Sequence, residues 1–392
     1  MSTPEVTSFH TQLPVKLSFG DGVIAELPDV LASLGAESVF VVVEAPVVGN
    51  EGVEAAIAAT AADGIRVERY LKEAGEPTFV ASDYVARAIV EGNCQAVIGI
   101  GGGSALDLAK AGRLLADAGG SPWDYLEGGR PFAAPALPLV LCPTTSGTGS
   151  EVSGASVLTD TERDRKVGLA NGWMRAQHAL VDPLLTLGLP PGPTAHSGVD
   201  ALAQAIGACT VRDGNPLSVA FGLEAVHHIG RSLERAFKDG SDRDARRQLS
   251  CGSLTGGLSM NLSDCAADHA LGQAIGSMLH LPHGLTIGLV LAETLDRSRV
   301  DCTARLERVA DALGEPDDGS GDGSRAVRAV RRLLKAVSFP TMSEAGVREE
   351  HVERLTELTL TEQAFFFDYD CHDWSRDEVA GAFREALALA AR

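Results

Sequence analysis

The chain is short of positive charge. Lys and Arg total 33 against 53 Asp and Glu in 392 residues, a net charge of −20 at pH 7. Phosphate backbones and anionic membrane surfaces would be repelled, so neither nucleic acid nor membrane is an expected partner. Aromatics make up only 5%, so any core is packed from Ala, Leu and Val rather than from rings. The seven cysteines (94, 142, 209, 251, 265, 302 and 371) are odd in number and contain no CxxC pair. That excludes a disulfide framework and predicts reduced thiols in a cytoplasmic protein. No apolar run is long enough to cross a bilayer. The opening MSTPEVTSFH lacks the basic-then-apolar pattern of a signal peptide.

An apolar content of 45% over 392 residues is ample for two domains. Strand and helix patterns alternate through the first part of the chain. Strands are expected at 13–19, 38–43, 65–70, 96–100 and 138–142, with helices at 24–34, 51–62, 82–91 and 105–118. Val39–Val43 and Ala96–Ile100 are continuous apolar runs, the pattern of parallel strands buried on both faces. Past about residue 186 only helical periodicity remains, at 194–209, 216–237, 242–258, 265–280, 284–296, 301–313, 324–337, 346–358 and 376–391. The expected architecture is an α/β nucleotide-binding domain with a parallel, Rossmann-like sheet over 1–185, then an all-α domain over 186–392.

Three of the ten histidines fall in ADHALGQAIGSMLHLPHG, residues 267–284. On one straight helix His269 and His283 would stand roughly 21 Å apart at 1.5 Å per residue. Pro282 ends the helix near His280, so His283 can begin a segment that folds back. Asp200 and Gln204 share a helix face in HSGVDALAQ. Asp with two His suits Zn(II) or Fe(II) with an open coordination position. Spacing alone favours two scattered helix-end histidines and an ordinary exposed helix Asp.

Two small-residue loops follow strands. Gly101, Gly102, Gly103 and Ser104 lead into a helix whose amides can face a phosphate. Thr144–Ser150 follows the next strand, so the two loops flank one crevice at the carboxyl edge of a sheet. By itself GGGS is equally a tight turn. Glu44, at the end of an earlier strand, is placed to accept from a ribose hydroxyl and repel a 2′-phosphate, which favours NAD over NADP.

GGGSALDLAK, PTTSGTGSEV, ALVDP, GVDALAQAI and HALGQAIGSMLHLPHG occur in that order. In this combination the chain resembles the iron-containing (group III) alcohol dehydrogenases, within the dehydroquinate synthase-like superfamily. The resemblance implies metal ligands at Asp200, His269 and His283. It implies cofactor contacts at Gly101, Gly102, Gly103, Ser104, Asp107, Thr144, Thr145, Thr148 and Lys166. It also departs from the family. Gln204 and Gln273 stand where members often carry His, leaving Gln204 as a weak fourth ligand, and Cys371 is followed by His-Asp-Trp.

These features lead us to expect an NAD(P)-dependent oxidoreductase that moves hydride between nicotinamide and a small alcohol or aldehyde, phosphonoacetaldehyde among the candidates. Fe2+ or Zn2+ is the expected metal. A metal-free reductase resembling maleylacetate reductase and a dehydroquinate synthase-like lyase remain as alternatives. Association into homodimers or larger is expected, with strand 13–19 pairing to a second copy.

Overall fold

A computed structural model of the chain describes residues 11–13, 15–126, 129–163 and 165–389. Residue 14 of the first expected strand and residues 390–391 of the last expected helix lie outside these. Two compact units are present. One comprises Leu13–Thr145 and Gly149–Leu187; the other contains Ser146–Thr148 and Gly188 onward.

The first unit is built on strands β1 (Lys16–Phe19), β2 (Ser38–Glu44), β3 (Arg66–Lys72), β4 (Ala96–Gly101), β5 (Leu139–Pro143), β6 (Ala155–Asp160), β7 (Arg165–Ala170) and β8 (His178–Val181). Six form one parallel sheet in the order β1, β8, β5, β4, β2, β3, while β6 and β7 pair separately as an antiparallel hairpin. Helices α1 (Leu27–Ser33), α2 (Glu51–Ala62), α3 (Phe79–Glu91) and α4 (Gly103–Ala118) complete it. The apolar runs explain the layering. Val39, Val41, Val43, Ile98 and Ile100 fill one face of the sheet, and Phe40, Val42, Val97, Leu139 and Leu141 fill the other. Glu44 is the last residue of β2, directly after Val43, which is in register with Ile100. Gly101 is in turn level with Pro143, so the loops after β2, β4 and β5 emerge at one edge of the sheet.

The second unit is helical: α5 (Pro191–Thr210), α6 (Pro216–Lys238), α7 (Arg243–Asn261), α8 (Ala267–Leu279), α9 (His283–Gly288), α10 (Leu291–Ser298), α11 (Thr303–Ala312), α12 (Ser324–Ala336), α13 (Val352–Glu362), α14 (Phe365–Tyr369) and α15 (Arg376–Leu389). One core gathers around α5, α6 and α7, and a second around α8, α13 and α15. Among the described residues no helix is long and apolar enough to cross a membrane.

Several elements differ from expectation for local reasons. The expected helix 284–296 is two helices, and residues 346–351 are not α-helical: a turn ends at Gly346 (φ 92°), and Glu349–His351 is a short 3-10 helix. Strands β6, β7 and β8 carry no apolar run. Their burial alternates or their length is four residues, so period-2 patterning was too short to register. The strand at β1 pairs parallel with β8 of its own chain and forms the sheet edge.

Asp182, in the ALVDP run, ties β8 to the turn after β1. Its carboxylate is buried and accepts from the amides of Gly22 (3.0 Å), Ile24 (3.3 Å) and Leu184 (3.0 Å). Asp182→Ala strands those donors. Ile24 N would become a buried orphan, which costs about 1–3 kcal/mol, and the part-buried Gly22 and Leu184 amides add less each, so a total loss of roughly 2–4 kcal/mol is expected. A urea denaturation midpoint that stays at the wild-type value would contradict this.

Candidate metal and cofactor sites

Asp200 lies mid-α5 among buried Ala, Leu and Val side chains and is itself 1% exposed. His269 is in the first turn of α8, also buried. Helix α8 stops at His280, which adopts the left-handed conformation (φ 52°), and Pro282 then leads into α9, whose first residue is His283. Gly284 lets α9 lie on α5: a Cβ there would sit 2.3 Å from the His196 carbonyl oxygen and 3.1 Å from Asp200 Cβ. Gly272 does the same between α8 and α9, where a Cβ would meet Ile287 Cα at 2.8 Å. Small residues at these two crossings bring the three side chains together.

Asp200 Oδ1 is 3.6 Å from His269 Nε2 and 3.5 Å from His283 Nε2. All three donor atoms lie within 4.8 Å of one another. Those separations are too long for hydrogen bonds. They match the roughly 3.4 Å between ligands that each stand about 2.1 Å from a tetrahedral ion. Asp200 Oδ1, His269 Nε2 and Gln204 Oε1 are buried without a hydrogen-bond partner. Gln204 donates its Nε2 to the Thr148 carbonyl at 3.4 Å, which leaves the amide oxygen as its unused donor atom. Unpaired buried polar atoms are rare and costly. This donor set fits a divalent cation.

Electrostatics agree. Burial alone would raise the Asp200 carboxyl, but His283 and His269, with Gln204 adding a hydrogen bond, hold it below the usual range. Burial works against a charged His269, yet Cys265, Asp268 and Asp200 outweigh it and push its pKa well above the ordinary value. The cluster therefore attracts positive charge, and a metal ion bound there displaces a proton.

Of the expected cofactor residues, Glu44, Gly101, Gly102, Gly103, Ser104, Thr144 and Thr145 gather at the sheet edge in the first unit. Glu44 Oε2 accepts from Gly102 N at 2.7 Å, and Oε1 accepts from Ser104 Oγ at 2.9 Å, with Lys72 Nζ at 3.8 Å. Gly103 opens α4. Thr144 N donates to the Gly101 carbonyl at 2.9 Å, and Thr145 lies beside Gly102. Thr148 belongs instead to the helical unit. Asp107 points inward and accepts from Ser150 Oγ (2.6 Å) and Val157 N (2.9 Å). Lys166, on β7, pairs with Glu76 at 3.2 Å.

Two family models match the chain. "Iron-containing alcohol dehydrogenase" covers residues 14–183, and "Fe-containing alcohol dehydrogenase family, C-terminal" covers 194–387. The long-chain-alcohol dehydrogenase 1 of Geobacillus thermodenitrificans is 34% identical over 86% of each chain. The chain belongs to the iron-containing alcohol dehydrogenase family. It is an oxidoreductase acting on CH–OH groups with NAD(P). A sulfoacetaldehyde reductase of Bilophila wadsworthia is 32% identical, over 86% of this chain and 88% of that one. Among solved structures, a 1,3-propanediol oxidoreductase superposes with a TM-score of 0.92 at 26% identity, over 97% of this chain and all of that one.

Sequence reasoning passed over Lys72 and Lys110. Lys72 closes a strand rich in charged residues and carries no such signal, whereas a Lys on an otherwise apolar helix face is the signal that finds Lys110, since a lysine is almost never buried unpaired. Lys110 is fully buried. Its Nζ donates to Ser150 Oγ (2.8 Å), Ser153 Oγ (3.1 Å) and the Ala155 carbonyl (2.7 Å), clamping the 150–155 segment to α4. Burial, only partly offset by Asp107 and Glu151, brings its pKa down from 10.5 to about 8. Removing one partner of a buried charge pair costs about 3–5 kcal/mol, the loss expected for Lys110→Met. Between pH 8 and 10.5 the unfolded chain holds the Lys110 proton more tightly than the folded one. Wild-type stability therefore gains with pH across that window relative to the variant. Urea titrations at pH 8 and pH 10 check both points; a stability difference that shrinks with pH would contradict the second.

Proposed function

We propose that this family member moves hydride between NAD(H) and a small alcohol or aldehyde, using a divalent cation, Fe2+ or Zn2+, held by Asp200, His269 and His283. The observation that carries the reading is the convergence of buried donor atoms that lack hydrogen-bond partners around Asp200. When bound, such an ion acts as a Lewis acid on the substrate oxygen. Asp200 supplies the negative charge of the set, and the two imidazoles supply neutral donors. Gln204 stands one helical turn beyond Asp200 and offers a neutral carbonyl oxygen in place of an imidazole, a weaker donor that carries no proton.

In the first unit the start of α4 and the loop after β5 supply the amides and hydroxyls suited to a dinucleotide phosphate. Glu44 sets the choice of cofactor in this reading. Its carboxylate, fixed by Gly102 and Ser104, is positioned to accept from a ribose hydroxyl and repel a 2′-phosphate. The relatives' names range from long-chain alcohols and methanol to choline and sulfoacetaldehyde. Substrate therefore follows from a panel of alcohols and aldehydes rather than from kinship.

Dialysis against a chelator is expected to remove activity, and Zn2+ or Fe2+ to restore it. His269→Ala and His283→Ala are expected to abolish the recovery, and Gln204→His to slow metal loss. Full turnover by protein shown to be free of metal would overturn the metal assignment and favour a reductase that orients the carbonyl with polar side chains alone.

Glu44→Gly is expected to shift the ratio of kcat/KM for NADH and NADPH toward NADPH by about tenfold or more, the scale of one charge contact worth about 1.4 kcal/mol. An unchanged ratio would remove Glu44 from cofactor selection.

A further inference from the structure

We propose that Asp268 is a positioning residue that sets the tautomer of His269 and so makes its Nε2 a metal donor. The inference rests on the metal reading above.

His269 has two ring nitrogens in two different surroundings. Nε2 faces Asp200 Oδ1 at 3.6 Å and has no hydrogen-bond partner. Nδ1 lies 3.1 Å from Asp268 Oδ2. Asp268 is itself 3% exposed, so this contact is shielded from water. A neutral imidazole carries one N–H. A carboxylate can only accept, so it draws that hydrogen to Nδ1 and leaves the Nε2 lone pair directed at Asp200 and His283. Without it, the ring is free to carry its hydrogen on Nε2. That N–H would point at the Asp200 carboxylate and compete with a cation for the same oxygen. A carboxylate behind a ligating histidine also raises the basicity of the metal-facing nitrogen.

The position of His269 has supports other than Asp268. The start of α8 is held by a different carboxylate: Asp370 Oδ2 accepts from Ala267 N at 2.8 Å, while its Oδ1 accepts from His372 N (2.8 Å) and Ser298 Oγ (3.2 Å). The Phe366 ring covers the imidazole at 5.9 Å between centroids. Asp268 also sits in the first turn of α8, where an acidic side chain favours the helix dipole by about 0.3–1 kcal/mol. That contribution changes stability and leaves ion affinity alone, so the two roles separate by measurement.

The test uses full-length protein stripped of metal, with Zn2+ affinity measured by competition against a chromophoric chelator. Co2+ absorption serves as a second readout. Asp268→Ala is expected to weaken Zn2+ binding by about 10- to 100-fold, the range seen when an outer carboxylate is lost, and to alter the Co2+ visible bands. Asp268→Asn keeps the shape but not the obligate acceptor, and is expected to fall between wild type and Asp268→Ala. If Asp268→Ala proves insoluble, the isosteric Asp268→Asn decides the matter. Wild-type protein that binds Zn2+, alongside soluble variants within about threefold of it and with unchanged Co2+ bands, would overturn the role of Asp268 while leaving the metal reading intact. Wild-type protein that binds neither ion would overturn both.

Discussion

Everything in the helical unit's chemistry depends on one carboxylate that the fold buries and leaves half-paired. Asp200 is 1% exposed on a helix otherwise lined with small apolar side chains, and its Oδ1 has no hydrogen-bond partner. Such a group is expensive to bury unless something positive stands beside it. Gly284 and Gly272 let α5, α8 and α9 approach closely enough for two imidazoles to provide that environment. The arrangement stores a requirement for positive charge, met by a proton or by a metal ion. His269 and Asp200 respond in the expected directions, one pKa raised and the other lowered.

The α/β unit handles its charges in the opposite manner. Its buried Lys110 and Asp107 are satisfied within the protein. Lys110 has three acceptors, and Asp107 has a hydroxyl, an amide and the Lys110 ammonium at 3.7 Å. Their work is to hold the segment after β5 against α4. Glu44 is bonded to the glycine loop on one side and approached by Lys72 on the other, so its carboxylate is fixed before any ligand arrives. A pre-set acceptor loses little freedom on binding, which favours selectivity.

Much of the fold was legible in the sequence. Continuous Val and Ile runs marked the buried strands β2 and β4, because only a strand covered on both faces needs apolar residues at every position. Pro282 marked the end of α8, and the break falls at His280 with left-handed geometry. Short elements were lost. The β6–β7 hairpin alternates over six residues per strand, and α14 spans five residues, four of them Phe or Tyr, lengths at which period carries little information. Thr148, which the resemblance assigns to the second cofactor loop, packs with the helical unit through the Gln204 contact, a placement that chain order does not reveal.

By itself, the sequence determined the alternation of strands and helices, the switch to helices near residue 186, and which Asp, His and Gly types were available, since these follow from local pattern and residue chemistry. Only the tertiary structure decided that Asp200, His269 and His283 meet, that Asp268 stands behind His269, and that Lys110 is a buried clamp. Those facts depend on how closely helices cross. Crossing distance is set by side-chain volumes at contact points far apart in the chain, and no local window of sequence contains both sides of such a contact.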